Sequence, residues 1–228
     1  MIRRNIALIP AAGVGARFGA GKPKQYVEIN GKTVLQHTIE IFEKHSRIDL
    51  IAVILSPEDS VFQTALSEKV RVFRVGGASR AETVRNGVSV LLKQGLAEAK
   101  DNILVHDAAR CCLTAEALTR LLDEAGEKDE GGILAIPVAD TLKRSDGSHH
   151  IEETVARAGL WQAQTPQLFQ TALLHRALSV DDLSEITDEA SAVEKLGIRP
   201  RLVQGDTRNL KLTLPQDEYI VRLLLKAV

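Results

Sequence analysis

Short runs of apolar residues recur along this chain and are separated by segments in which apolar positions follow a helical spacing. The runs cover residues 5–10, 50–55, 70–75, 102–106 and 132–138. They are mainly apolar and do not alternate strictly with polar positions, as is typical of strands that are covered on both faces. We therefore predict an α/β fold in which a mainly parallel sheet is flanked by helices.

Helix signals lie between these strands. Ser79 is followed by Glu82 in the pattern of a capping box, Thr114 precedes an apolar helical stretch, and Ser56 stands before a proline and two acidic residues. We expect a helix to begin at each of the three. An apolar helical face is predicted from Val34, Leu35, Thr38, Ile39 and Phe42, and later helices at 171–178, 187–196 and after Pro215, with a strand at 201–204.

The region of residues 139–160 departs from this rhythm, because it is polar and contains the hairpin turn signal Asp146-Gly147. An isolated two-stranded hairpin is only marginally stable in water. We expect it to be a projecting β-arm that packs on a second copy of the chain, which predicts a homodimer. The chain is then one domain over residues 1–228, with the arm included.

Composition and charge narrow the class of protein. The 228 residues carry a net charge of -1, so no overall positive field favours nucleic acid as a partner. The adjacent Cys111 and Cys112 fit neither a disulfide framework nor a zinc site, and we expect buried free thiols. The apolar stretch after Arg3 and Arg4 is too short for a membrane helix and continues into a glycine loop. We expect a cytoplasmic protein without a membrane partner.

The segment after the first predicted strand has the composition of a phosphate-binding loop. Residues 9–17 read IPAAGVGAR, and residues 21–25 read GKPKQ. Small residues let the backbone approach a ligand, successive N–H groups can bind an anion, and Arg17 and Lys24 add positive charge. The loop does not match the Walker A pattern, because its lysine is not followed by Ser or Thr. It does not match GxGxxG either, because Phe18 stands at the third glycine position. A glycine turn with solvated basic residues remains the alternative.

A second candidate follows the predicted strand at residues 102–106. Asp107, in the sequence HDAAR, stands at the carboxyl end of that strand, where open α/β sheets bind ligands. A carboxylate there can hold Mg²⁺ together with substrate phosphates. The alternative is a helix cap paired with Arg110.

These segments together carry a resemblance to a known family. The sequences PAAGVGARFGAGKPKQY, GGASRAETVRNG, HDAAR, DTLKR, TPQ, TDEAS and NLKLT occur in the order seen in the 2-C-methyl-D-erythritol 4-phosphate cytidylyltransferases of the non-mevalonate isoprenoid route. The resemblance implies a Rossmann-like nucleotidyltransferase domain that transfers CMP from CTP to methylerythritol phosphate and releases pyrophosphate. It also implies Mg²⁺ as a cofactor and an in-line attack stabilised by Arg and Lys side chains.

The resemblance also implies roles for individual residues. The catalytic group would be Arg17, Lys24 and Lys211, and Asp107 would be near the metal. The CTP site would consist of Pro10, Ala11, Ala12, Gly13, Gly15, Gly77, Arg80, Thr83, Asp107 and Ala108. Methylerythritol phosphate would be bound by Thr141, Arg157, Thr165, Thr187 and Arg110, and the first two would reach the partner's site from the arm.

Several alternatives stay open at this point. Thr187 also fits a helix cap, and Thr165, before Pro166, fits a turn residue. Cys111 and Ala78 differ from the residues usual in the family. A cytidylyltransferase acting on ribitol 5-phosphate is the nearest rival function, and a nucleotide-binding regulator without turnover is the second.

Overall fold

The structure of the protein is a computed structural model that describes residues 3–13, 23–63 and 67–226. Its strands in chain order are β1 (Asn5–Pro10), β2 (Glu28–Ile29), β3 (Lys32–Thr33), β4 (Leu50–Ile54), β5 (Val70–Phe73), β6 (Asn102–Val105), β7 (Gly132–Pro137), β8 (Leu142–Ser145), β9 (Ile151–Val155), β10 (Trp161–Gln170) and β11 (Arg201–Gln204). Its helices are α1 (Val34–Lys44), α2 (Arg80–Lys93), α3 (Ala115–Ala125), α4 (Thr171–Leu178), α5 (Glu189–Glu194) and α6 (Asp217–Leu224).

Seven of the strands form one sheet in the order β11-β7-β10-β6-β1-β4-β5. β1 is parallel to both β4 and β6, β4 to β5, and β7 to β11. β10 alone runs antiparallel, between β6 and β7. The prediction of a mainly parallel sheet is confirmed, and the first five predicted strands, which are five of its seven, lie within two residues of their observed bounds.

The sheet is covered on both faces by apolar packing. On one face the core includes Leu35 and Phe42 of α1 and Leu121 of α3. On the other face it includes Val88 of α2 and Leu174 of α4. The five residues predicted as the apolar face of α1 are the buried residues of that helix. Cover on both faces explains why the central strands are apolar throughout.

The predicted helix starts differ in outcome. Ser79 caps α2 and Thr114 caps α3, each by accepting a hydrogen bond from a main-chain N–H. Glu82 completes no capping box, because its carboxylate accepts the N–H of Ala78 at 2.8 Å instead. The prediction at Ser56 is wrong, because the described residues 56–63 form a turn and then irregular chain.

The reason for the turn lies in the side chain of Asp59. Its carboxylate accepts the main-chain N–H groups of Val61 and Phe62, and it also accepts the hydroxyl of Tyr26 at 2.5 Å. A contact between residues 33 positions apart therefore overrides a local helix signal.

The arm is a separate hairpin of β8 and β9, which pair antiparallel with each other as a two-stranded sheet. The Asp146 carboxylate accepts the N–H groups of Ser148 and His150 and so shapes the turn. Nearly all residues of both strands are exposed, including Ile151 at 68%. The predicted hairpin is confirmed, and its surface is open to a further contact.

Two further observations concern the described part of the chain. Cys111 and Cys112 are buried and form no disulfide, as predicted. None of the helices in the described ranges is both long and apolar enough to span a bilayer.

Candidate active site

A cavity of about 380 Å³ opens at the carboxyl ends of β1 and β6. It is lined by Pro10, Ala11, Ala12, Gly13, Lys24, Gln25, Gly77, Ala78, Ser79, Arg80, Thr83, Asp107, Ala108, Ala109 and Lys211. All the described residues predicted for the CTP site are in this set, as are Lys24 and Lys211. Gly15 and Arg17 lie outside the described residues.

The chain leaving β1 is held in place by a buried amide. Gln25 donates from Nε2 to the carbonyl of Ala11 at 3.0 Å and to the carbonyl of Gly13 at 2.9 Å. The N–H groups of Ala12 and Gly13 have no hydrogen-bond partner within the described ranges. A fixed backbone with open N–H groups can bind an anionic or polar ligand.

The start of α2 forms the wall of the cavity opposite this loop. Gly77 donates its N–H to the hydroxyl of Thr83 at 3.1 Å, and that hydroxyl donates to the carbonyl of Ser79 at 2.9 Å. A Cβ atom at Gly77 would lie 2.3 Å from Cγ of Glu82, so this turn requires glycine. Thr83 is 98% buried and therefore shapes the wall more than it exposes a polar group to the cavity.

Three cationic side chains meet at Asp107. Its Oδ1 contacts Nε of Arg80 at 2.8 Å, and its Oδ2 contacts Nζ of Lys211 at 2.8 Å and Nε of Arg110 at 3.7 Å. Burial disfavours the charged carboxyl, but the charges and hydrogen bonds of Arg80 and Lys211 outweigh burial. The pKa of Asp107 is therefore held far below its usual range, and the group is an anion at neutral pH.

A second carboxylate lies behind Arg80. Glu189, at the first turn of α5, is 1% exposed and accepts hydrogen bonds from both terminal nitrogens of Arg80, at 2.7 and 3.0 Å. Burial raises the pKa of Glu189, and the contact with Arg80 opposes that rise. Burial lowers the pKa of Arg80, but the two carboxylates outweigh it and the pKa is raised, so Arg80 stays charged.

A buried hydrogen-bond network holds the main chain at Asp107. Asp107 donates its N–H to the Thr165 hydroxyl at 3.1 Å, and this hydroxyl lies 3.0 Å from Nδ1 of His106. Nε2 of His106 lies 3.0 Å from the Arg110 carbonyl and must donate to it. Burial lowers the pKa of His106 to about 4, so the ring is neutral and both nitrogens are engaged.

The segment that carries Lys211 is fixed by main-chain and amide contacts. Arg110 donates to the carbonyl of Asn209 at 2.6 Å, and Asn209 donates from Nδ2 to the carbonyl of Thr165 at 2.7 Å. Leu212 donates its N–H to the carbonyl of Ala109 at 2.9 Å. These contacts bring the NLKLT segment against HDAAR and place Lys211 beside Asp107.

The residues expected to bind methylerythritol phosphate are not all brought together. Thr165 is 5% exposed and its hydroxyl is engaged within the protein, and Arg110 supports the NLKLT segment. Thr141 and Arg157 are exposed on the arm and form no side-chain hydrogen bond or ion pair within the described part of the chain. Thr187 is exposed beside α5, where Asp188 is the helix cap, so the alternative role of Thr187 as the cap is wrong.

The described residues of the site do not form a protein cage for a metal ion. The described residues contain no group of three or more His, Cys, Asp and Glu side chains that could hold one. Asp107 is the one carboxylate among the described lining residues, and both of its oxygens contact cations. A metal ion here would need most of its ligands from a bound phosphate chain and from water.

Sequence reasoning missed three buried residues that organise the site: Gln25, Glu189 and Asn209. Each lies within a segment that carried the family resemblance, namely PKQY, TDEAS and NLKLT. Their membership of those segments was the available signal. Their partners could not be read from the sequence, because Arg80 and Glu189 are 109 positions apart.

Comparison with known proteins extends over the whole chain. A family model for 2-C-methyl-D-erythritol 4-phosphate cytidylyltransferase matches residues 5–227. The curated protein of that name from Neisseria meningitidis serogroup C is 69% identical over 231 aligned residues, with 100% of both chains covered.

Solved structures agree with this match. A crystal structure of 4-diphosphocytidyl-2C-methyl-D-erythritol synthase, with 63% identity, has a TM-score of 0.89 and covers 99% of this chain and 100% of its own. The Francisella tularensis 2-C-methyl-D-erythritol 4-phosphate cytidylyltransferase, with 31% identity, has a TM-score of 0.82 and covers 97% of this chain and 99% of its own. With the seven-stranded α/β fold and a cationic cavity at the predicted position, these matches show that the chain belongs to the 2-C-methyl-D-erythritol 4-phosphate cytidylyltransferase family.

Proposed function

We propose that the cavity at the carboxyl ends of β1 and β6 is the site where this cytidylyltransferase transfers CMP from CTP to 2-C-methyl-D-erythritol 4-phosphate. The products are 4-diphosphocytidyl-2-C-methyl-D-erythritol and pyrophosphate. The observation that carries the assignment is the convergence of Arg80, Arg110 and Lys211 on Asp107, in a cavity also lined by Lys24.

The chemistry needs cations more than it needs a base. A phosphate oxygen of the acceptor attacks the α-phosphorus of CTP, the bond to the bridging oxygen breaks, and pyrophosphate leaves. The attacking phosphate is already ionised at neutral pH, so the barrier lies in bringing polyanions together and in stabilising the charge on phosphorus. His106 is neutral and fully hydrogen-bonded, which makes it unsuitable as a general base.

Lys24, Lys211 and Arg17 are the side chains to which we assign stabilisation of the transition state. Asp107 holds the ammonium group of Lys211 at 2.8 Å and is too weak a base to accept a proton. Its role is to orient the cation before the triphosphate arrives, which reduces the reorganisation that the reaction requires.

The nucleoside is assigned to the space between the β1 loop and the start of α2. The open N–H groups of Ala12 and Gly13 suit polar atoms of the nucleotide, and Pro10, Ala11, Gly77, Thr83 and Ala108 form the surrounding wall. Arg80 would contact the nucleotide from a position fixed by two carboxylates.

Mg²⁺ is proposed as a cofactor that arrives with CTP. When bound, it would neutralise phosphate charge, and its ligands would be phosphate oxygens and water, with Asp107 as the one carboxylate of the described lining that could contribute. Adding a chelator in excess of Mg²⁺ should abolish turnover, and restoring Mg²⁺ should recover it.

We also propose that the chain, with its arm, is one nucleotidyltransferase domain that works as a homodimer. The arm exposes Ile151, and its Thr141 and Arg157 lie outside the cavity of their own chain, which supports a role in the partner's site. Light scattering at micromolar concentration should give the mass of two chains, whereas a monomer would remove this proposal.

A pyrophosphate-release assay with Mg²⁺, each of the four nucleoside triphosphates and methylerythritol phosphate tests the function. We expect turnover with CTP and little with UTP, ATP or GTP. Ribitol 5-phosphate is the informative second acceptor, because a much faster reaction with it would overturn the assignment of the acceptor. Binding of CTP without any pyrophosphate release would favour a nucleotide-binding regulator.

A further inference from the structure

The carboxylate of Glu189 is buried deeply behind the wall of the cavity. It is 1% exposed, and burial raises its pKa. A buried ion pair is often no more stabilising than an apolar pair of the same size, because both charges lose their hydration. Stability alone is therefore a weak reason for a carboxylate in this position.

The position of Glu189 is fixed by the neighbouring strand. The side chain of Gln167, from β10, accepts the N–H of Ala190 at 2.8 Å and donates to the Asp188 carboxylate at 2.8 Å. Asp188 and Ser191 form a reciprocal capping box. The residues on both sides of Glu189 are thus held, and its carboxylate has a defined direction.

Arg80 uses all three nitrogens on two carboxylates. Its terminal nitrogens donate to Glu189 at 2.7 and 3.0 Å, and its Nε donates to Asp107 at 2.8 Å. This fork geometry leaves the guanidinium one orientation at the edge of the cavity. Without Glu189, two of the three contacts that orient Arg80 would be lost.

The effect extends to Lys211, because Asp107 is shared. One oxygen of Asp107 contacts Arg80 and the other contacts Lys211, each at 2.8 Å. A guanidinium released from Glu189 could turn and take both oxygens of Asp107, which would displace the ammonium group. We infer that Glu189 is a positioning residue for the transfer reaction, which holds Arg80 so that Asp107 can keep Lys211 aligned at the reacting phosphate.

This inference rests on the proposed function of the cavity. It makes a prediction that separates the loss of cation alignment from a general loss of folded structure. Glu189→Gln keeps the shape of the side chain and removes one negative charge. We expect kcat to fall by about 100-fold, since a displacement of about 1 Å can cost that much. Arg80 keeps its charge and the cavity becomes more positive, so the Kd of CTP should change far less than kcat. A merely structural defect would lower kcat and weaken CTP binding together.

Glu185→Gln is the matched control. Glu185 is in the segment just before α5, is 79% exposed and pairs with Lys195 at the surface. This variant also removes one carboxylate, and we expect wild-type kcat and wild-type CTP affinity. Both variants are compared with the wild type in thermal unfolding, so that a loss of folded protein is seen separately from a loss of turnover.

A double-mutant cycle with Arg80→Met tests whether Glu189 acts through Arg80. On the Arg80→Met background, Glu189→Gln should cause no further fall in kcat. Independent, multiplying effects would overturn the inference, as would a wild-type kcat for Glu189→Gln. An inactive wild-type enzyme with CTP and methylerythritol phosphate would instead remove the proposed function itself.

Glu189→Asp keeps the proposal testable if Arg80→Met does not fold. It retains the charge and withdraws the carboxylate by one methylene from Arg80. We expect a kcat between those of the wild type and Glu189→Gln, with unchanged CTP affinity. A kcat equal to that of the wild type would show that the geometry of this contact does not matter, against the inference.

Discussion

The cavity and the arm are built in opposite ways. Around the cavity, buried side chains such as Asp107 and Glu189 have their partners within the same chain. On the arm, Thr141 and Arg157 are exposed and form no side-chain hydrogen bond or ion pair with any described residue. The proposed nucleotide half of the site is thus preorganised in one copy, whereas the acceptor half would depend on a second copy under the proposed dimer. The following experiments test that contrast.

The largest effect is expected from removal of the ammonium group at the centre of the cavity. Lys211→Met should lower kcat about 100- to 1,000-fold, because loss of one preorganised stabilising group typically costs that much. The fold should persist, since Lys211 is 39% exposed and its neighbours are held by main-chain bonds. Pyrophosphate release and CTP binding are measured in parallel. An equal loss in kcat and affinity would contradict a transition-state role.

A smaller effect is expected from the arm, and it should concern the acceptor alone. Arg157→Ala should lower kcat/KM for methylerythritol phosphate by roughly 10- to 100-fold, because a hydrogen bond to a charged group contributes about 1.5–3 kcal/mol. The Kd of CTP should not change. Arg144→Ala, which removes an exposed arm cation paired with Glu153, is the matched control and should be close to wild type.

Mixing the two impaired variants tests whether the site is shared. If Arg157 serves the partner's site, a mixed dimer of Lys211→Met and Arg157→Ala chains has one intact site, and a statistical mixture should recover about a quarter of wild-type activity. If the arm serves its own chain, mixing gives no gain over the average of the two separate variants. That outcome would leave both halves of the site in one copy.

The smallest effect is a loss of folding stability on acidification, and it should arise from His106 beside the cavity. Burial lowers the pKa of His106 to about 4, whereas the unfolded chain takes up that proton near pH 6.5. The unfolded state therefore binds more protons between these values, and stability falls as pH decreases through this window. Between pH 7 and pH 5 the loss should be about 2 kcal/mol, measured by urea unfolding.

His106→Asn provides the comparison for that measurement. Asn cannot take up the proton, so the unfolding free energy of this variant should lose about 2 kcal/mol less than that of the wild type between pH 7 and pH 5. The variant should be less stable than the wild type at pH 7. An unchanged pH dependence would show that His106 is not the responsible group. Asp107 has its effect at lower pH, because its pKa is depressed and its carboxyl is protonated only in strong acid.

Part of the site was predictable because its parts are local. The loop after β1 and Asp107 at the end of β6 were identified from residue types, and Lys211 in NLKLT from the resemblance to the family. The cavity contains Lys24, Asp107 and Lys211. The start of α2 was predicted at Ser79 from its capping residue, and α2 begins there. Each of these signals depends on residues within a few positions of one another.

The sequence by itself determined five of the seven strands of the sheet, the buried face of α1, the arm hairpin and the chemical types gathered at the site. Hydrophobic periodicity and turn chemistry are local, so they can be read without knowing the partner elements. Only the tertiary structure decided the antiparallel insertion of β10, the turn that Asp59 and Tyr26 impose at Ser56, and the pairing of Glu189 with Arg80. These depend on which elements become neighbours, and burial then requires each polar group to find a partner, often one far away in the chain.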